Sequence, residues 1–157
     1  MGISVKGSGV RNREIVYEAA TWCVKHLMPR MQKSLEIGII LKCNLLSKEA
    51  FYGDCIWEDS TYRPREFTVQ LDSKQDKPYL IQTLMHELMH IKQWARGELK
   101  DMYNSCDHSV WKGTLYNINT TKYAKLPWEI EASAEEDVLY EKWLKQSDYK
   151  NMKWAKC

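Results

Sequence analysis

The chain lacks a cysteine framework, a long apolar run and any sizeable net charge, and each lack removes a class of protein. Its five cysteines (Cys23, Cys43, Cys55, Cys106 and Cys157) make an odd count without a CxxC pair. A disulfide-stapled secreted scaffold is therefore not expected, and a reducing compartment is. Apolar runs reach no further than stretches such as Ile39-Ile40-Leu41, far short of the roughly 20 residues that a membrane-spanning helix needs. The start, Met1-Gly2-Ile3-Ser4-Val5-Lys6, has no apolar signal-peptide core, and Lys6 stands where myristoylation requires a hydroxyl. A net charge of +2 is too small to argue for nucleic acid or a membrane as partner. Lys142, Lys145, Lys150, Lys153 and Lys156 do cluster among Trp143, Tyr149 and Trp154. Such interleaving can bind single strands by stacking, but a solvated helix end and a tail over 146–157 is the simpler reading. Hydrophobic content of 44% and charged content of 28% leave no reason to expect disorder. A single domain over 1–157, located in the cytoplasm, is the expectation.

What the chain does have is His86-Glu87-Leu88-Met89-His90. Residues four apart on a helix lie one above the other, so both imidazoles can aim at one metal ion. Glu87 follows the first histidine and is placed to act as a general base on a water activated there. The surroundings favour a helix over about 78–96. Leu80, Ile81, Leu84, Leu88 and Ile91 recur at steps of one, three and four. Asp76 and Pro78 supply start signals, and Gly97 supplies a stop.

A catalytic zinc site normally has three protein ligands and one open position. The extended motif HExxHxxGxxH fails, because Gln93 and Arg96 occupy its glycine and last histidine. Two sources of a third ligand remain. One is His108, in Ser105-Cys106-Asp107-His108; Cys106 beside it is a poor candidate. The other is an acid in Pro127-Trp128-Glu129-Ile130-Glu131-Ala132-Ser133-Ala134, which reads as a helix start with Pro127 in its first turn. Ala132 and Ala134 are small enough to let this helix approach another closely. Glu129 and Glu131 lie about 200° apart around the axis, so one can bind metal while the other faces solvent or a supporting partner.

HELMHIKQWARGEL followed by LPWEIEASA resembles zincin-like metallopeptidases of the gluzincin type, in particular small metallopeptidases encoded by bacteriophages and other viruses. The likeness covers roughly residues 77–140. It implies a zinc ion (Zn2+) as cofactor, a peptide or protein substrate, and a third ligand heading an E-x-x-A-[DN] string, which falls on Glu129. Ser133 departs from the usual last residue of that string, and Glu131 stays an alternative. A weaker likeness to SprT-like proteases would make His108 the third ligand, although the glycine-flanked histidine of that family is missing.

The rest of the chain reads as one α+β domain. About 12–31 forms a helix with Ile15, Ala19, Trp22 and His26 on one face, where His26 reads as a packed core histidine. Glu36 to Leu45 suits a strand buried on both faces. Phe51 to Glu58 suits a second strand, and Arg65 to Leu71 a third with one solvated face. Residues 72–77 form a loop, Val110 to Tyr116 a short hairpin or strand, and 117–125 a polar connector. The resemblance implies a zincin-like small mixed sheet with an antiparallel edge strand. It also implies that the last strand before the HExxH helix, Arg65 to Leu71, is that edge and forms the cleft wall onto which an extended peptide adds.

Three functions follow as expectations. The first is a zinc-dependent peptidase, with His86, His90 and Glu129 holding metal, Glu87 as base, and an oxyanion partner among Tyr103, His108, Tyr116 and Tyr123. The second is a regulatory or nucleic-acid-associated protease with a narrow range of partners. The third, a purely structural zinc domain, has no use for Glu87 and would be closed by four ligands.

Overall fold

The computed structural model describes residues 2–59, 62–102 and 105–156. Four strands, β1 (Gly2–Gly7), β2 (Glu36–Lys42), β3 (Gly53–Trp57) and β4 (Glu66–Asp72), form one sheet in the order β1-β2-β4-β3. β1, β2 and β4 run parallel, whereas β3 pairs antiparallel with β4 and forms one edge. Alternation puts Ile37, Ile39 and Leu41 of β2, and Phe67, Val69 and Leu71 of β4, into the core on one face. Helices α1 (Val10–Leu27) and α3 (Lys77–Ala95) contribute to the same core. A short helix, α2 (Leu45–Glu49), follows β2. The fold is α+β, as expected.

The sheet corrects two expectations. The strand over Arg65–Leu71 is not the edge: β4 is flanked by β2 and β3, and the antiparallel edge is β3. Its polar positions Thr68 and Gln70 are half-buried on the face turned away from the core, and an open face says nothing about whether a strand has one neighbour or two. β2 is likewise not buried on both faces, since Gly38 and Ile40 share that half-buried surface. β1 was not anticipated. α1 ends earlier than 31 because Pro29 keeps Met28 out of helical geometry (φ −137°, ψ 56°). His26 is exposed and stacked on Trp22, with ring centroids 4.8 Å apart, rather than packed in the core.

After α3, strands β5 (Leu99–Met102), β6 (Ser105–Trp111) and β7 (Thr114–Asn117) form an antiparallel sheet. The expected hairpin is its β6–β7 half. Lys112 and Gly113 have φ of 46° and 88°, as a two-residue type I′ turn requires. Leu99, Trp111, Leu126 and Trp128 form a second apolar cluster there, joining the end of α3 to the start of α4 (Pro127–Gln146). On α4, Glu129, Ala132, Glu136, Leu139 and Trp143 recur at steps of three and four, which makes one inward stripe. Ala132 is fully buried, whereas Ala134 is exposed.

The segment after α4 is not a solvated tail throughout. Tyr149 and Trp154 pack against the main core and Ala155 is buried. Tyr149 lies 6.0 Å from both Trp143 and Trp154. Among the described residues no helix is long and apolar enough to cross a membrane.

Candidate metal centre

The site begins with how α3 ends. Gly97 adopts φ 72°. Glu98 N–H donates to Gln93 C=O at 2.9 Å and Gly97 N–H to Trp94 C=O at 3.0 Å, the paired bonds of a glycine-stopped helix. Arg65 Nη1 donates to Ala95 C=O at 2.8 Å. The Arg-Gly-Glu-Leu string thus fixes the last turn of α3, the turn that carries Gln93. Upstream, Leu80, Ile81, Leu84, Leu88 and Ile91 are buried, leaving His86 and His90 toward α4.

The two imidazoles converge. His86 Nε2 and His90 Nε2 are 3.2 Å apart. Glu129 Oε2 lies 3.1 Å from His86 Nε2, and Glu129 Oε1 lies 3.2 Å from His90 Nε2. Hydrogen bonds at the back of each ring decide which nitrogen faces inward. Gln93 Nε2 donates to Trp128 C=O at 3.0 Å and to Glu131 Oε2 at 2.8 Å. Both partners are acceptors only, so the Gln93 amide oxygen must be the end facing His90 Nδ1 at 2.8 Å. His90 Nδ1 is therefore the donor. His86 Nδ1 likewise donates to Glu136 Oε2 at 2.7 Å. Once the rings are neutral, as metal ligands must be, both Nε2 lone pairs point into the space bounded by Glu129.

The fit to an ion can be checked by distance. Donors about 2.0–2.1 Å from a tetrahedral zinc lie roughly 3.3 Å from each other. The two Nε2 atoms, 3.2 Å apart, match that edge, and each lies 3.1–3.2 Å from a different oxygen of Glu129. Two neutral imidazoles and a carboxylate are also a donor set that zinc accepts, with a fourth position left over. His86, His90 and Glu129 thus form a group that could hold a metal ion. Of the alternatives, Glu131 serves as acceptor for Gln93, with Lys92 and Lys112 at 3.7 and 3.6 Å. His108 lies on β6 opposite Asn117, outside the ligand group, as does exposed Cys106 on the same strand.

Comparison of the chain with family models, with curated proteins and with solved structures gave no match in any of the three.

Electrostatics sharpen the centre. Burial works to lower the pKa of His86, but hydrogen bonds to Glu129 and Glu136 prevail and raise it from 6.5 to about 10. His90 is raised too, against its burial, chiefly by Glu129. Glu129 is lowered to about 2, because the two histidines outweigh the effect of burial. Glu87 is only 7% exposed, and burial pushes its carboxyl up to about 7 against the pull of His90 and His86. Glu87 shares a cleft of about 210 Å³ with Asp54, Cys55, His90, Tyr123 and Glu129.

Of the four oxyanion candidates, Tyr123 lines this cleft, and its hydroxyl hydrogen-bonds Glu129. Tyr123 is 68% exposed as a whole, yet partial desolvation and the Glu129 charge raise the phenol's pKa, keeping it protonated. Tyr116 instead packs edge-on to Trp128 at 5.9 Å, His108 stays on β6, and Tyr103 lies outside the described residues. The sequence reading missed Gln93 and Glu136. Both had a signal: Gln93 follows His90 by one helical turn, and Glu136 follows Glu129 by two, so each falls on its ligand's face.

Proposed function

We propose that this chain is a zinc-dependent peptidase that hydrolyses a peptide bond held in the cleft between α3 and α4. The observation that carries the reading is a buried carboxylate, Glu87, in the same cleft as His90 and Glu129, two of the three converging metal donors. A structural site has no need of such a base.

A zinc ion held there would polarise a peptide carbonyl and bring the acidity of a water toward neutrality. The chain's own residues do the rest. Glu87, with a pKa raised to about 7 by burial, takes the proton of the attacking water and returns it to the leaving amine. Tyr123, protonated, turns its single O–H from Glu129 to donate a hydrogen bond to the oxygen that gains charge. Gln93 and Glu136 hold the rings with Nε2 inward.

The substrate strand adds to β3, in place of the expected Arg65–Leu71 edge. Asp72 N–H donates to Tyr52 C=O and Glu58 N–H to Glu66 C=O, both at 2.8 Å. Alternation therefore turns the main-chain groups of Gly53, Cys55 and Trp57 outward, away from β4. An extended peptide paired there runs past Glu87 and His90, with affinity from its main chain. Substituting Glu87 by Gln is the test. Zinc should stay bound while cleavage of an unstructured peptide collapses; retained cleavage would remove Glu87 from the reaction.

A further inference from the structure

Beside the metal centre lies a second, larger cavity of about 670 Å³ whose lining includes Tyr52, Asp72, Lys74, Asp76, Tyr79 and Glu136. It adjoins the centre directly, because the Glu136 carboxylate that lines it also accepts from His86 Nδ1 at 2.7 Å. Tyr79, Thr83 and His86 follow at steps of four and three on α3, so the cavity runs back along one helix face. It extends roughly 10 Å from the metal ligands toward the N-terminus of α3. The same end of the substrate edge opens into it: Tyr52 lines the cavity, and Gly53 begins β3.

The charged groups of the lining are three carboxylates, Asp72, Asp76 and Glu136, and one cation, Lys74. Asp72 is already spent: its two oxygens accept from the N–H groups of Leu46 and Lys74 at 2.8 and 2.9 Å. Asp76, at the start of α3, makes no capping hydrogen bond with its side chain. Glu136 has one oxygen beyond the one His86 uses. Tyr52 and Tyr79 are 51% and 62% exposed, offering aromatic surface at the rim. Carboxylates with aromatic rings are the combination that attracts an organic cation.

We propose that this cavity is a specificity pocket for a basic side chain, lysine or arginine, of the peptide bound along β3. The proposal rests on the peptidase reading for its substrate, but the pocket's preference is a binding property that can be measured without turnover. Antiparallel addition, the more stable pairing, places the residues on the C-terminal side of the scissile bond at the Tyr52 end of β3. The preferred residue is therefore on that side of the cut.

The test uses the full chain carrying Glu87→Gln and loaded with zinc, titrated calorimetrically with blocked hexapeptides. These differ at one position C-terminal to the cut, which carries arginine, lysine, norleucine or glutamate. Arginine and lysine peptides should bind about five-fold or more tightly than norleucine, and glutamate should be weakest. Asp76→Asn with Tyr79→Ala, neither a metal ligand, should reduce the preference to less than about two-fold while zinc content and circular dichroism stay unchanged. Equal affinity across the series, or a preference indifferent to both substitutions, would overturn the pocket. The two readings separate cleanly. Cleavage by the unsubstituted chain without basic selectivity removes the pocket alone, whereas selective binding with no cleavage of any peptide removes the peptidase alone.

Discussion

Replacing Gln93 by leucine would separate a side chain that aims a metal ligand from one that merely fills space. Gln93 is fully buried and makes three bonds: to His90 Nδ1 at 2.8 Å, Trp128 C=O at 3.0 Å and Glu131 at 2.8 Å. Leucine has a similar volume, so no cavity opens. It does leave the buried His90 N–H without its partner, whereas the Trp128 carbonyl keeps its own helical bond within α4. An unsatisfied buried donor costs about 1–3 kcal/mol, so a loss of about 1–3 kcal/mol in folding stability is expected. Glu131 is less affected, since Lys92 and Lys112 remain near it. A freed His90 ring can rotate or present Nδ1, and such supporting partners set metal affinity by roughly tenfold to a hundredfold. Two assays keep the effects apart: thermal unfolding in chelator for stability, and competition against a chromogenic chelator for zinc affinity. Both should fall. Lower stability with unchanged zinc affinity would show that Gln93 supports the packing of α3 on α4 and does not aim His90.

Three further outcomes follow from the same geometry. Metal-free protein should lose stability as pH rises from about 6.5 to about 10. The folded chain keeps a proton on His86 across that window that the unfolded chain has released. The contribution is whole below the lower value and gone above the upper. Glu129, with its pKa lowered from 4.5 to about 2, acts in the opposite sense: its contribution is whole above the upper value and lost as pH falls to the lower. Zinc-loaded protein should not show the alkaline loss, because ligand imidazoles are already neutral, and melting curves with and without chelator decide it. Tyr123→Phe should lower the cleavage rate by roughly 10²-fold with zinc content intact, as loss of one oxyanion donor does; an unchanged rate would release Tyr123 from that role. Gly53→Val should cost about 1–3 kcal/mol in chemical denaturation, because a Cβ there would meet Thr83 Cγ2 at 2.7 Å and the Gln70 carbonyl at 3.1 Å.

Local signals were legible in the sequence, and long-range ones were not. Leu80, Leu84, Leu88 and Gly97 mark α3 to within a residue or two, since periodicity and a glycine stop act over single turns. Pro127 marks the start of α4 in the same way, and the roughly 200° between Glu129 and Glu131 separates the acid beside the two histidines from the one that accepts from Gln93. Which strand forms the edge depends on pairings between β2 and β4 that lie about 30 residues apart. Alternation at Thr68 and Gln70 reports an open face and cannot count neighbours. β1 escaped notice because it is short, begins and ends in glycine, and has only Ile3 and Val5 packing inward. In the final segment Lys150 and Lys153 are exposed while Tyr149 and Trp154 pack inward, and composition alone averages the two.

The central claim is that His86, His90 and Glu129 close around one zinc ion. Metal analysis of the purified full chain beside its Glu129→Ala, Glu131→Ala and His108→Ala variants tests it most directly. One equivalent of zinc should be found in the parent, the Glu131 variant and the His108 variant, with loss only where Glu129 is removed. Zinc retained without Glu129, or lost without His108, would contradict the assignment.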